Sequence, residues 1–334
     1  MKAVDDTVER VDRYQQSRSW AAFPVAVFKK FGDDRAGNLA ALIAYYGFFS
    51  LFPLLLVMVA ILGFIIRGHP SLRASIINST LAQFPIIGDQ IRHNVKALSG
   101  PSAGVGLGVG TAVALWAGLG VTQAAQNALN DIWDVPIKRR PNFLQSRLRG
   151  LIMLAVLGTM SLGSTFLSGL GTATGDLGVA LRVLGFAGSG LLNLGVFLLA
   201  YLVLTQRDVP WRAAFPGAVF AAVGWTVLQA IGTLYVSHTL KGATQVYGFF
   251  GFVIGLLAWI YLGAQILLLG AEINVVRAKH LWPRSLKQAP LTTADERTFV
   301  RKAGVEERIP QETVDVSFAK PGEEDETRAA GGME

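Results

Sequence analysis

Apolar residues run through this chain in blocks too long for the helices of an ordinary soluble domain. Reading between charged positions gives six of them, at 39–66, 103–127, 150–172, 183–204, 213–236 and 247–271. A helix needs about 20 apolar residues to cross the hydrocarbon core, and each block is long enough. The pattern predicts an all-α fold: a polytopic membrane helix bundle with six transmembrane helices plus short amphipathic interfacial helices. Pro53 should kink the first span. Ahead of it, Trp20, Phe23, Val27 and Phe31 share one helical face, with Phe28 beside it, Lys29 opposite and Lys30 at the edge. That suits a helix lying on the membrane surface. The connection 67–99 reads as two more amphipathic helices, marked by Leu72, Ile76 and Phe84 and by Ile87, Ile91, Val95 and Leu98, with a break at Pro85 and Gly88.

Three regions follow. Residues 1–38 form a leader with the surface helix, 39–280 the transmembrane domain, and 281–334 a tail. The tail holds four prolines, many charges and the run Glu323, Glu324, Asp325, Glu326. Its composition predicts disorder, and a part beyond about Pro290 that folding does not need. The first apolar block follows a charged stretch with no small-residue cleavage site, so it is expected to be retained. Gly104 and Gly108, Gly171 and Gly175, and Gly251 and Gly255 form G-x-x-x-G pairs, which let helices approach closely.

Charge sharpens this picture. Only 16% of residues are charged, against about 25% in soluble domains, and mean hydropathy is +0.43. Of 23 acidic residues, four precede position 13 and eleven lie from Asp295 onward. The first, third and fifth connections carry four, one and one Lys/Arg, while Lys29, Lys30, Arg35, Lys138, Arg139, Arg140, Arg147, Arg149, Arg207, Arg212, Arg277, Lys279, Arg284 and Lys287 collect on the other side. The positive-inside rule places both termini in the cytoplasm. The net charge of +7 comes from those loops; no basic patch alternates with stacking aromatics, so no nucleic acid is expected. Without cysteine there is no disulfide framework or thiolate site. His69, His93, His238 and His280 lack metal-ligand spacing, so neither metal nor cofactor is expected.

Polar side chains at membrane depth face an interior or a cavity. Gln123, Gln126, Asn127, Asn130 and Asp134 share a face at the end of span two. Tyr261, Gln265 and Glu272 share one on span six. Span one carries Tyr45, Tyr46 and Ser50, and span five Gln229. The orientation gathers Arg35, Asn38, Gln126, Asn127, Asn130, Asp131, Glu272 and Asn274 at the cytoplasmic mouth, either as a substrate or ion pathway or as an Arg35–Glu272 pair with amide neighbours that pins the helices.

Three stretches resemble the YihY/virulence factor BrkB family: NLAALIAYYGFFSLFP at 38–53, AQNALNDIW at 125–133, and the last span, with YG at 247–248, WIY at 259–261 and GAEIN at 270–274. The resemblance covers roughly 20–280. It implies a six-helix protein of the bacterial cytoplasmic membrane, and Asn38, Tyr45, Pro53, Asn130, Trp133, Gly270 and Glu272 match the family pattern. Family members carry labels as different as ribonuclease BN and serum-resistance factor, and others are linked to export of lipid-type molecules.

The leading reading is a non-enzymatic transporter or flippase for a lipid-like amphiphile or small solute, with membrane lipids as partners. No nucleotide-binding loop is present, and Glu272 is the acidic residue placed to carry a proton. The alternatives are a membrane scaffold or assembly factor, and a ribonuclease, which needs clustered carboxylates and histidines that these loops lack. Oligomeric state leaves no signal in the sequence.

Overall fold

The computed structural model describes residues 2–67, 103–170, 178–206, 209–243, 248–287 and 290–318. Every regular element among them is helical. Two helices precede the bundle, α1 (Lys2–Gln16) and α2 (Ser19–Asp33). Six long ones follow: α3 (Ala36–Arg67), α4 (Ala103–Ile132), α5 (Phe143–Leu170), α6 (Gly178–Leu204), α7 (Trp211–Ala243) and α8 (Gly248–Lys279). A short helix, α9 (Thr293–Gly304), comes last. The connection 67–99 and its two expected helices lie outside the described residues beyond Arg67.

Five helices are long and apolar enough to cross a membrane, within α3, α4, α6, α7 and α8. The third expected span falls in α5, which does not reach that level. Its first turns hold Gln145, Arg147 and Arg149, and Gly158, Thr159, Ser161, Gly163, Ser164 and Thr165 dilute the rest. The six long helices nevertheless close a ring, α3 on α4, α4 on α5, α5 on α6, α6 on α7, α7 on α8 and α8 back on α3. α3 continues as helix through Pro53.

Exposed Leu42, Phe49, Trp116, Leu191, Val227 and Ile254 give the ring an apolar outer surface, as lipid requires. The closest packing lies at the end of the bundle that carries the termini. There Ala128, Leu129, Ile132, Ala200, Tyr201, Ala214, Ala218, Leu268, Ala271, Val275 and Val276 are buried. Glycine admits the closest crossing: a Cβ on Gly217 of α7 would collide with the Gly270 carbonyl of α8, and one on Gly270 with the Tyr201 hydroxyl. The G-x-x-x-G reading is corrected here. Gly108 and Gly255 have open space around them, Gly251 is exposed, and Gly171 and Gly175 lie outside the described residues.

Two further expectations are corrected. α2 does not simply rest on a surface: it packs on α8 through Ala22, Ala26, Val27 and Lys30, while Trp20 and Phe28 face outward. And the tail is folded as far as residue 318. α9 starts with a reciprocal cap between Thr292 and Asp295, which satisfies free backbone donors. Its neighbours tie back to the chain's start. Gln15 Nε2 donates to the Arg284 carbonyl (2.7 Å) and Leu286 N to Asp12 Oδ1 (2.9 Å). Buried Arg284 reaches Asp295 Oδ1 (2.5 Å) and Asp33 Oδ2 (2.8 Å), and Lys29 Nζ also reaches Asp295 (2.9 Å). Ile137 N and Lys138 N donate to the carbonyls of Val305 (3.1 Å) and Glu307 (2.9 Å). α1, α2 and residues 281–318 thus form one cap on the bundle. Ending the chain near Pro290 would remove Asp295, so that segment is not expendable. Residues 319–334 lie outside the described ones.

Candidate functional site

Two polar features stand out, one enclosed and one facing outward. The enclosed one is built where three helices stop. α4 ends on Asp134, whose φ of 53° is left-handed. Val135 N then donates back to the Asn130 carbonyl (2.9 Å) and Asp134 N to that of Asp131 (3.1 Å), which closes the helix in a Schellman turn. Arg35, with φ 51°, makes the corner between α2 and α3 and sets Asp34 against the bundle. α8 supplies Glu272 one turn after the Gly270 crossing.

Lys30, 0% exposed, stands at the centre. Its Nζ donates to Asp34 Oδ2 (2.5 Å) and to the Ile132 carbonyl (2.9 Å). Asp134 Oδ1 lies 3.6 Å away and Glu272 Oε2 3.7 Å away. Lys302 of α9 bonds the other oxygen of Asp34 (2.6 Å). Glu272 is also 0% exposed, and neither its oxygens nor those of Asp134 accept a hydrogen bond. Burial opposes the charge on Lys30, but Glu272, Asp134 and Asp34 overrule it and hold the ammonium above the ordinary lysine range. Burial pushes the Asp134 carboxyl above its usual range, against the pull of Lys30, Lys279 and Arg301.

The partner of Glu272 is therefore Lys30, not Arg35, which is exposed at its corner. The amides grouped with Glu272 in the sequence serve separate joints. Asn130 Oδ1 accepts from Gln206 N (2.8 Å) and Asn274 Oδ1 from Gly217 N (2.7 Å). Gln126 Nε2 donates to the Ser146 carbonyl (3.0 Å), and Ser146 Oγ donates to Gln123 Oε1 (2.6 Å). Asp131 pairs with Arg140 (2.5 Å), and Ser50 Oγ donates to the Gly47 carbonyl (2.7 Å). Tyr261 turns its hydroxyl to Gly37. Gln265 is half-buried on α8 and Gln229 exposed on α7.

The second feature runs up the outside. Asn38, Leu42, Tyr45, Tyr46, Phe49 and Phe52 are exposed along one stripe of α3, at the three- and four-residue steps of a helical face. The Tyr45 ring packs on Tyr46 (5.4 Å) and Phe49 (4.8 Å). Tyr46 lies against Gly120 of the antiparallel α4, so Asn127 stands level with Asn38, and Trp116 with Ser50. Asn127, exposed, accepts from Gln123 Nε2 (3.2 Å). Trp116 is 74% exposed. Polar groups therefore flank the α3–α4 seam near the capped end, and aromatic rings flank it further in.

Lys30 and Asp34 were not among the expected site residues. Their i, i+4 spacing just before a span was the available signal, together with two adjacent acids, Asp33 and Asp34, in a chain whose middle is nearly acid-free.

Comparison with known proteins came out as follows. The family model of virulence factor BrkB matches residues 27–293. The ribonuclease-like protein YfkH of Bacillus subtilis is 26% identical over 77% of this chain and 96% of its own. A UPF0761 membrane protein of Pseudoalteromonas translucida is 28% identical over 79% and 87%. Inner membrane protein YhjD of Escherichia coli is 26% identical over 80% and 83%. No solved structure matches.

Proposed function

We propose a function from one premise: the chain belongs to the virulence factor BrkB family. It is a polytopic inner-membrane protein. On that premise we read it as a transporter or flippase for a lipid-like amphiphile or small solute, without catalytic chemistry of its own.

The observation that carries this reading is the outer stripe at the α3–α4 seam. Tyr45 lies nine residues into the span that starts at Ala36, about 14 Å along the helix and near the middle of a core about 30 Å thick. Side chains with polar ends are costly on a lipid-facing surface. Asn38, Asn127 and the Tyr45 hydroxyl make sense there as a track for a headgroup, with Phe49, Phe52 and Trp116 beside its chains. The test uses full-length protein in liposomes containing nitrobenzoxadiazole-labelled phosphatidylglycerol or its choline analogue, with dithionite quenching to report movement between leaflets. Wild type should speed movement, and Asn38→Leu with Asn127→Leu should slow it about tenfold, an added barrier near 1.4 kcal/mol. Rates equal to those of protein-free liposomes for both lipids would rule the flippase reading out.

A sixth span belongs to the same reading. α5 sits in the closed ring between α4 and α6, so we take it to cross with them, which puts both termini on one side. The Lys/Arg distribution makes that side the cytoplasm. Alkaline phosphatase fused after Glu334 should be inactive and one inserted near Asn78 active; the opposite pattern would overturn this topology.

One observation favours the scaffold reading. Gln126, Asn130 and Asn274 are engaged in helix-to-helix joints, and the cap presents an ordered face for a partner. The ribonuclease label has less support. Asp131 is taken by Arg140 and Asp134 stands beside Lys30, and no group of three or more metal-holding side chains occurs among the described residues.

A further inference from the structure

We infer that Glu272 is a proton-binding site, loaded and unloaded through Asp34 from a pocket beside α9. Use of this proton to drive transport rests on the reading above; the site itself does not.

Two independent observations meet at Asp34. The first is enclosure. Glu272 is fully buried, aims at Lys30 and accepts no hydrogen bond. Lys30 gives its short bond to Asp34 instead, and Asp134 claims a share of the same cation. The interior thus holds three carboxylates around one ammonium. A buried carboxylate without a hydrogen bond is unfavourable; a proton neutralises it and creates a donor. The Asp34 carboxylate stands within hydrogen-bonding reach of Glu272 once that proton is present.

The second is access. A pocket of about 490 Å³ is lined by Asp34, Asp131, Phe299, Lys302 and Glu306. It reaches Asp34 from the side opposite Glu272, with the partly exposed Lys302 bonded across the junction (2.6 Å). When Lys302 swings out, pocket water touches Asp34. In the transfer, an O–H bond on Asp34 breaks as one on Glu272 forms, and Asp34 regains its proton from pocket water. Nothing is oxidised or reduced. Because no described group of His, Cys, Asp and Glu is arranged to hold a metal, the ligand is the proton.

The charged groups that face this site come from every neighbouring element. Lys30 comes from α2, Asp34 from the α2–α3 corner, Asp134 from the end of α4, Lys279 from α8, and Arg301 and Lys302 from α9. α3 and α7 bring Ala36, Ala40, Ala214 and Ala218, and α6 brings Tyr201, whose hydroxyl donates to the Leu267 carbonyl.

Infrared difference spectra of the full chain in lipid nanodiscs, taken across a pH titration, test the inference. Wild type should show a high-frequency carboxyl band, as of an acid shielded from water. The band should move when glutamate side chains carry carbon-13. Glu272→Gln should remove it, while Glu296→Gln, on the exposed face of α9, should leave it. Asp34→Asn should shift the band and slow its exchange in heavy water about tenfold. A band that survives Glu272→Gln, or ignores the label, overturns the assignment. Unchanged exchange in Asp34→Asn overturns the route. If Glu272→Gln does not fold, the labelled wild type decides alone. Failure of the liposome assay would leave this result standing, and the reverse holds too.

Discussion

Lys30→Met should cost about 3–5 kcal/mol, the range for removing one partner from a buried ionic group. Methionine fills similar space, so the loss is electrostatic: Asp34, Asp134 and Glu272 remain enclosed without the cation between them. The measurement is the unfolding midpoint of purified protein in detergent. The double variant Lys30→Met with Glu272→Gln should recover part of the loss, because one uncompensated charge goes with it. pH separates this account from a packing defect. Burial raises the Asp134 carboxyl, so the folded chain binds that proton more tightly than the unfolded chain. Acidification therefore favours the folded state of the variant. Lys30 acts at the other end. Its folded value is raised, so its contribution in wild type is complete below the unfolded value of about 10.4 and is lost as pH rises through the folded one. Single-variant stability that is flat between mild acid and neutral pH would contradict this account.

Arg284→Met should release the cap while leaving the bundle intact. Arg284 is enclosed and holds Asp295 and Asp33 together. Removing it strands Asp295, which is also enclosed, and about 3–5 kcal/mol of cap stability should go with it. Limited proteolysis should then cut between 281 and 318, and hydrogen exchange should rise in α1 and α9 but not in α8. Burial works against the Asp295 charge, yet bonds from Arg284, Ser285 N, Lys29 and Thr292 hold its carboxyl well below the usual range. A depressed carboxyl contributes stability above its unfolded value, about 3.9, and loses it as pH falls through the folded value. The gap between wild type and variant should therefore be widest near neutrality and narrow in strong acid. A variant whose tail stays protected would show that the backbone bonds from Ile137 and Lys138 suffice.

The helical architecture was legible because apolar blocks of membrane length leave few alternatives. What packs against what was less so. Lys30 read as the edge of an amphipathic face, since periodicity on one helix cannot reveal that α8 covers it. The tail looked disordered because its charges were counted locally. Those charges are halves of pairs: Asp295 with Lys29, Arg284 with Asp33, Lys302 with Asp34. Composition within a window does not register complementarity across the length of the chain. Glu272 was found as an isolated acid near a span end, but assigned to Arg35 because Arg35 sits nearest the next span. Tyr45 and Tyr46 were expected inside, and a helical face does not announce whether its partner is protein or lipid. The glycine pairs failed for a related reason, since spacing within one helix says nothing about the helix opposite; Gly217 and Gly270 meet across two.

The pairing of the two ends of the chain also bears on how the protein is made. Asp33 and its partner Arg284 are 251 positions apart. At about 5–20 residues per second of synthesis, α2 waits on the order of 10–50 s for its guanidinium. Throughout that interval the bundle helices are already threading into the bilayer while Lys30, Asp33 and Asp34 have only water and unfinished neighbours. The last segment to leave the ribosome is then the one that seals the first. A chain released early lacks Arg284, Asp295 and Lys302 together, and so presents an open acidic end to the proteases that clear incomplete membrane proteins.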